Sequence, residues 1–216
     1  MKKTLPLLIL MALSLQTIAQ KHSIGLKSGI NWANANTGDL IKNTSGRKGL
    51  NAGLSYRYRI NNNINAGAEM LYSQKGFQTD LNYVDADGNA ATIDMEFNYD
   101  YLSLPLKVGF EKGNTISTFV NIGVVPSILL HAETLTPAII GLAEASTVDV
   151  TENVAQFDFA GLAEFGVNFQ LPGSFALSTS VAYQHSFTTV TTSEYFRGQR
   201  INHYGLSLSL GVNYLF

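Results

Sequence analysis

Cysteine is absent from the 216 residues. That excludes disulfides, thiolate metal sites, a cysteine nucleophile and a lipid-modified N-terminal cysteine. Charge is also scarce: 14% of residues are Asp, Glu, Lys or Arg, against about 25% in an ordinary soluble domain. The chain therefore has little with which to cover a water-facing surface of its size. No run of basic residues occurs, and the net charge of −2 offers no electrostatic footprint for nucleic acid. Long apolar runs are missing beyond the N-terminus, so no later segment supplies the roughly 20 apolar residues of a membrane helix.

The beginning of the chain has the layout of a cleavable signal peptide. Met1-Lys2-Lys3 is positive, residues 5–15 are apolar, and Thr17-Ile18-Ala19 places small residues where a signal peptidase cuts. The expected organisation is a signal peptide over 1–20 and one domain over 21–216. An exported chain with few charges and no helical span has one way to live in a membrane. A closed β-barrel satisfies every backbone hydrogen bond without water.

What the sequence does have is alternation. From Tyr204 to Phe216 every second residue is large and apolar, while the positions between are mostly small or weakly polar: Gly205, Ser207, Ser209, Gly211 and Asn213. Period-two patterning of this kind marks eight segments, at 23–32, 49–60, 64–79, 92–110, 116–131, 153–169, 175–188 and 202–216. Short turns join some of them, at 61–63, 111–115 and 171–174. Long connections join the others, at 33–48, 80–91, 132–152 and 189–201. Short turns at one end and long loops at the other are the layout of an outer-membrane barrel.

Aromatic residues fall at the ends of these segments. Tyr58, Phe110, Phe169, Phe175, Tyr214 and Phe216 gather at the short-turn end. Trp32, Tyr72, Phe97, Tyr99, Phe157, Tyr183, Phe187 and Tyr204 gather at the long-loop end. Two such girdles flank the lipid-facing band of a transmembrane barrel. The rival is a soluble barrel with its apolar face turned inward. It would need a solvated outer face rich in Lys, Glu and Thr, and instead the second face is small and weakly polar, as the cramped lumen of eight strands requires. The expected fold is therefore all-β, an eight-stranded antiparallel up-and-down transmembrane barrel of the OmpA and OmpX kind.

On this register Lys27, Arg57, Arg59, Glu69, Lys75, Lys107, Asp158 and Glu164 point into the lumen. Buried charges of mixed sign must pair, so an internal ion-pair network that plugs the barrel is expected, and a pore lining is the alternative. No triad or metal cluster emerges. His185 and Ser186 are adjacent in a strand and point to opposite faces, and the four histidines are expected in girdles or loops. "DADGN", 85–89, faintly resembles a calcium loop but fits a hairpin turn. "TPAIIGLAEAS", 136–146, fits a short surface helix with Pro at its first position. No catalytic residue, metal ligand or cofactor is assigned, and the protein is expected not to be an enzyme.

"IGLKSGINWANANTG" (24–38), "AEMLYSQKG" (68–76), "YLSLPLKVGF" (101–110), "GVVPSILL" (123–130) and "FDFAGLAEFGVNF" (157–169) carry a family resemblance. The chain resembles the PorT-like outer-membrane β-barrels of Bacteroidetes over nearly its whole mature length. The resemblance implies an eight-stranded outer-membrane barrel without established catalytic residues. The founding member is associated with type IX protein secretion. The expected role is a scaffold or interaction protein, with a narrow channel or secretion-associated component as the alternative. Expected partners are outer-membrane lipid, the barrel-assembly machinery acting on the last strand and Phe216, and proteins at the loops.

Overall fold

A computed structural model describes residues 21–38, 43–84, 88–139, 143–190 and 200–216. The expected signal segment lies outside the described residues. The strands are β1 (His22–Asn36), β2 (Thr44–Arg59), β3 (Ile64–Val84), β4 (Ala90–Ser103), β5 (Leu106–Gly113), β6 (Ile116–Thr136), β7 (Ser146–Asp149), β8 (Phe157–Gln170), β9 (Phe175–Ser186) and β10 (Asn202–Leu215). All pairings are antiparallel. They close a ring in which β1 pairs both β2 and β10, so no edge is left unpaired around the wall.

Ten strands make eight staves. β4 and β5 are two lengths of one stave, since both pair β3 on one side and β6 on the other. The segment expected to be continuous over 92–110 is interrupted at Leu104 and Pro105. Proline has no N–H to give to a ladder. The wall nevertheless stays bonded across the break: Leu104 N–H donates to the Pro126 carbonyl at 2.8 Å, and Glu69 N–H to the Pro105 carbonyl at 2.9 Å. β7 stands outside the ring and pairs the end of β6.

Alternation decides the two faces. The outward set includes Leu26, Ile122, Phe165 and Leu210, the last 68% exposed. The inward set of β10, Ser207, Ser209 and Asn213, is buried. Such a molecule is inside out for water and correct for lipid. At the short-turn end Tyr58, Phe110, Phe169, Phe175 and Tyr214 are exposed on the outer wall, and Trp32, Phe157, Tyr183 and Phe187 are exposed toward the other end.

Two residues expected in that outer girdle are elsewhere. Tyr99 is buried in the lumen, and Phe97 packs against the interior cluster. Leu102, Leu104 and Leu106 are exposed on the lipid side; the same alternation sends Tyr101, Tyr99 and Phe97 inward. His203 is likewise buried, not in a girdle or loop, because it keeps step with lumen-facing Ser207 and Ser209 and not with lipid-facing Leu206.

The strands run further than the apolar pattern suggests. Most of 33–48 and 80–91 is strand, as β1 reaches Asn36, β2 starts at Thr44 and the hairpin of β3 with β4 closes at Val84 and Ala90. Past the bilayer, lipid no longer enforces an apolar face, so the pattern fades while backbone pairing continues. Two bulges mark this region. One extra residue lies on β2 between Gly46 and Asn51, and one on β6 opposite the step from Asp100 to Tyr101. The β6 bulge resets its alternation, so that Leu129 and Ala132 are both buried while Leu130 between them is exposed.

The surface helix expected over 136–146 is not formed by the residues described there. Thr136 pairs Ser146, and Ile139 and Ala143 exchange backbone bonds of 2.8 and 3.0 Å. The chain after Pro137 satisfies its amides by folding back on β6 instead of by helix. Residues 140–142 lie outside the described residues. So do 85–87 of "DADGN"; Gly88 has φ +83°, the left-handed conformation of a turn.

Candidate functional site in the polar lumen

The lumen is built in tiers along the barrel axis. In the middle, four side chains from four staves meet: Lys27 of β1, Glu69 of β3, Lys107 of β5 and Glu164 of β8. Lys27 Nζ lies 3.2 Å from Glu69 Oε1 and 2.7 Å from Glu164 Oε1, and Lys107 Nζ lies 2.7 Å from Glu164 Oε2 and also pairs Glu69. Each lysine touches both carboxylates. Asn121 and Ser180 donate to Glu164 at 2.7 and 2.9 Å. Two positive and two negative charges cancel, and the extra donors occupy the remaining lone pairs. A buried charge group of this kind is tolerable only on those terms. The space beside it is about 30 Å³, roughly the share of one water in the liquid.

Toward the long-loop end, Lys75 Nζ lies 2.7 Å from Asp158 Oδ2 and 4.9 Å from the Tyr101 ring centroid. Ser186 and Thr188 donate to the two Asp158 oxygens at 3.0 and 2.8 Å. His203 stacks edge-on to Tyr99 at 5.1 Å. Above them Phe77, Tyr99, Tyr101 and Leu129 pack with Val150, Val154, Val190 and Ile201, which come from the connections outside the ring. This apolar cluster caps the lumen. Beside it, Arg47 pairs Glu96 at 2.6 Å, from the bulged part of β2.

Toward the short turns the lumen widens into a cavity of about 800 Å³. Its floor is Glu111, which accepts from Arg57 at 3.3 Å, from Asn168 at 2.8 Å and from Ser117. The Arg57 guanidinium also lies 5.3 Å from the Phe119 ring centroid. Arg59, Lys21 and Lys112 line the same cavity.

The eight residues expected in the lumen therefore do not meet in one network. Four form the central quartet, Lys75 with Asp158 is a separate pair, Arg57 pairs a residue that was not expected, and Arg59 has no ion pair among the described residues. Glu111 was missed because it was assigned to a turn, although its parity with Lys107 along β5 puts it inside. The fit of Arg47 to Glu96 depends on the bulge, which no sequence pattern announces. Among the described residues no group of three His, Cys, Asp or Glu could hold a metal ion.

A family model described as "Outer membrane protein beta-barrel domain" matches residues 18–192. No curated protein sequence matches the chain. Among solved structures the chain is similar to OprG of Pseudomonas aeruginosa, at 9% identity and TM-score 0.48, covering 92% of this chain and 97% of that one. It is similar to Neisserial surface protein A at 14% identity and TM-score 0.47, covering 89% and 97%. It is also similar to the outer membrane protease OmpT of Escherichia coli at 10% identity and TM-score 0.45, covering 91% and 94%.

Proposed function

For a chain that belongs to the outer membrane protein β-barrel domain family, we propose a non-enzymatic role as a scaffold or interaction protein of the outer membrane with a closed lumen. The observation that carries this reading is the quartet of Lys27, Glu69, Lys107 and Glu164, which ties four staves together across the lumen. A permeating ion would have to displace charges already neutralised by their neighbours. The apolar cluster around Tyr101 is a second barrier in series. With passage blocked, the surfaces left for function are the ends of the barrel and its connections.

The finer kinship, with PorT-like Bacteroidetes barrels, is supported by "AEMLYSQKG" and "YLSLPLKV". A narrow channel or secretion-associated component is the second reading, favoured by the wide polar cavity at the short-turn end. In this proposal outer-membrane lipid covers the apolar belt, and the assembly machinery recognises the β10 strand with its terminal Phe216.

Single-channel recording in planar bilayers tests the closed lumen. The expected result is no discrete conductance from the folded barrel. A steady unitary conductance overturns the proposal in favour of the channel.

A further inference from the structure

Charge is unevenly placed along the barrel. Asp80, Asp94, Glu96, Asp100, Glu133 and Asp149 lie on the half that carries the long connections. The cavity at the other end is lined by four cationic residues, Lys21, Arg57, Arg59 and Lys112, against one carboxylate, Glu111. That carboxylate is already engaged with Arg57, Ser117 and Asn168. Arg59, Lys21 and Lys112 have no ion pair among the described residues. In a chain whose net charge is −2, this cluster is a local reversal of sign.

Arg59 does not serve the lipid surface. Its neighbours Tyr58 and Ile60 are exposed on the outer wall, so alternation turns Arg59 inward. The cavity is also blind. It ends at the Glu111 floor, beyond which the central quartet leaves only about 30 Å³. A concave site lined by one sign of charge between low-dielectric walls concentrates oppositely charged solutes. Its volume of about 800 Å³ falls in the range of small-molecule sites, about 300–1,000 Å³. Guanidinium groups match carboxylate and phosphate oxygens in a two-point geometry.

We propose that this cup is a binding site for a small, multiply charged oxyanion, a polycarboxylate or a phosphate compound, entering from the short-turn end. Arg59 is the principal contact. Lys21 and Lys112 at the rim draw the anion in, and the floor at Arg57 and Glu111 stops it. The ligand's stopping point rests on the closed lumen proposed above. Binding heat and conductance are separate readouts, so either reading can fail alone.

The test is titration calorimetry of the folded barrel in uncharged detergent, with citrate and with pyrophosphate as probes. One-to-one binding of at least one probe is expected, weakening as salt rises. Arg59→Gln should weaken it at least tenfold, Arg59→Lys should recover part of the loss, and Lys48→Gln on the opposite half of β2 should leave it unchanged. Heat-modifiable mobility on gels verifies that each variant is folded. Should Arg59→Gln not fold, the surface pair Lys21→Gln with Lys112→Gln should weaken binding at least fivefold. The proposal is overturned if neither probe binds at low ionic strength, or if Lys48→Gln weakens binding as much as Arg59→Gln. It is overturned also if an acidic peptide binds more than a hundredfold tighter than both probes, which assigns the cup to a protein partner.

Discussion

Lys107 and Lys27 hold the same two carboxylates. Glu164 presents Oε2 to Lys107 and Oε1 to Lys27, each at 2.7 Å, while Glu69 bridges the two lysines from the other side. The four residues span sequence separations as long as 137. The link between β1 and β8 crosses the lumen instead of following the wall.

Removing one member should leave the rest uncompensated. Glu164→Ala strands Lys27 and Lys107 beside a single carboxylate, and loss of one partner of a buried pair costs about 3–5 kcal/mol. Urea unfolding in lipid vesicles should show a loss of that order. Lys107→Met with Glu164→Met should cost less than the sum of the two single changes, because together they remove one charge of each sign. Additive losses would mean that the residues do not act as a unit.

The lipid face has an opposite sensitivity. Leu210, mid-strand on β10 and 68% exposed, faces hydrocarbon. Leu210→Arg should cost about 2–4 kcal/mol at the bilayer midplane, measured by reversible unfolding in vesicles. If Leu210→Arg were neutral there, the assignment of faces would be wrong.

Tyr101 is fully buried at the top of the lumen, against the Lys75 ammonium and the apolar cap. Tyr101→Ala should leave a cavity and cost about 3–5 kcal/mol, as large aromatic truncations in packed cores do. Limited proteolysis of the connections contributing Val150 and Val190 should become faster in the same variant. Unchanged protease resistance would show that the cap does not depend on Tyr101.

Gly76 has φ +151°, and a Cβ added there would lie 2.1 Å from the Phe97 carbonyl oxygen. Gly76→Ala should destabilise by about 1–3 kcal/mol and slow folding into vesicles. A folding rate equal to that of the parent would show that the wall relaxes around this point.

Phe216 is held at the seam of the barrel. Its N–H donates to the His22 carbonyl at 2.9 Å, its carbonyl accepts from His22 N–H at 3.2 Å, and the two rings stack at 5.7 Å. If assembly machinery recognises this residue, Phe216→Ala should reduce folded barrel in cell membranes several-fold while refolding into pure lipid is little changed. Equal losses in both settings would reduce Phe216 to a structural seam contact.

Several lumen residues that sequence reasoning misplaced were within its reach. Opposite parity to lipid-facing Leu102 and Leu106 turns Tyr99 and Tyr101 inward, parity with Ser207 turns His203 inward, and parity with Lys107 turns Glu111 inward. Assigning Tyr99 to a girdle and Glu111 to a turn overrode that rule. The bulges at Gly46–Asn51 and beside Leu130 were not legible, since an inserted residue changes no composition and leaves no local signature.

By itself the sequence determined the barrel, its two faces and the short and long ends. A strand alternates with a strict period of two, and lipid tolerates only apolar side chains on one side of it. The tertiary structure decided the partners: Lys27 with Glu164 across the lumen, Arg47 with Glu96 through a bulge, and Arg59 left facing an open cup. Those outcomes depend on stagger, tilt and curvature around a closed ring, and such long-range geometry is not encoded in the order of neighbouring residues.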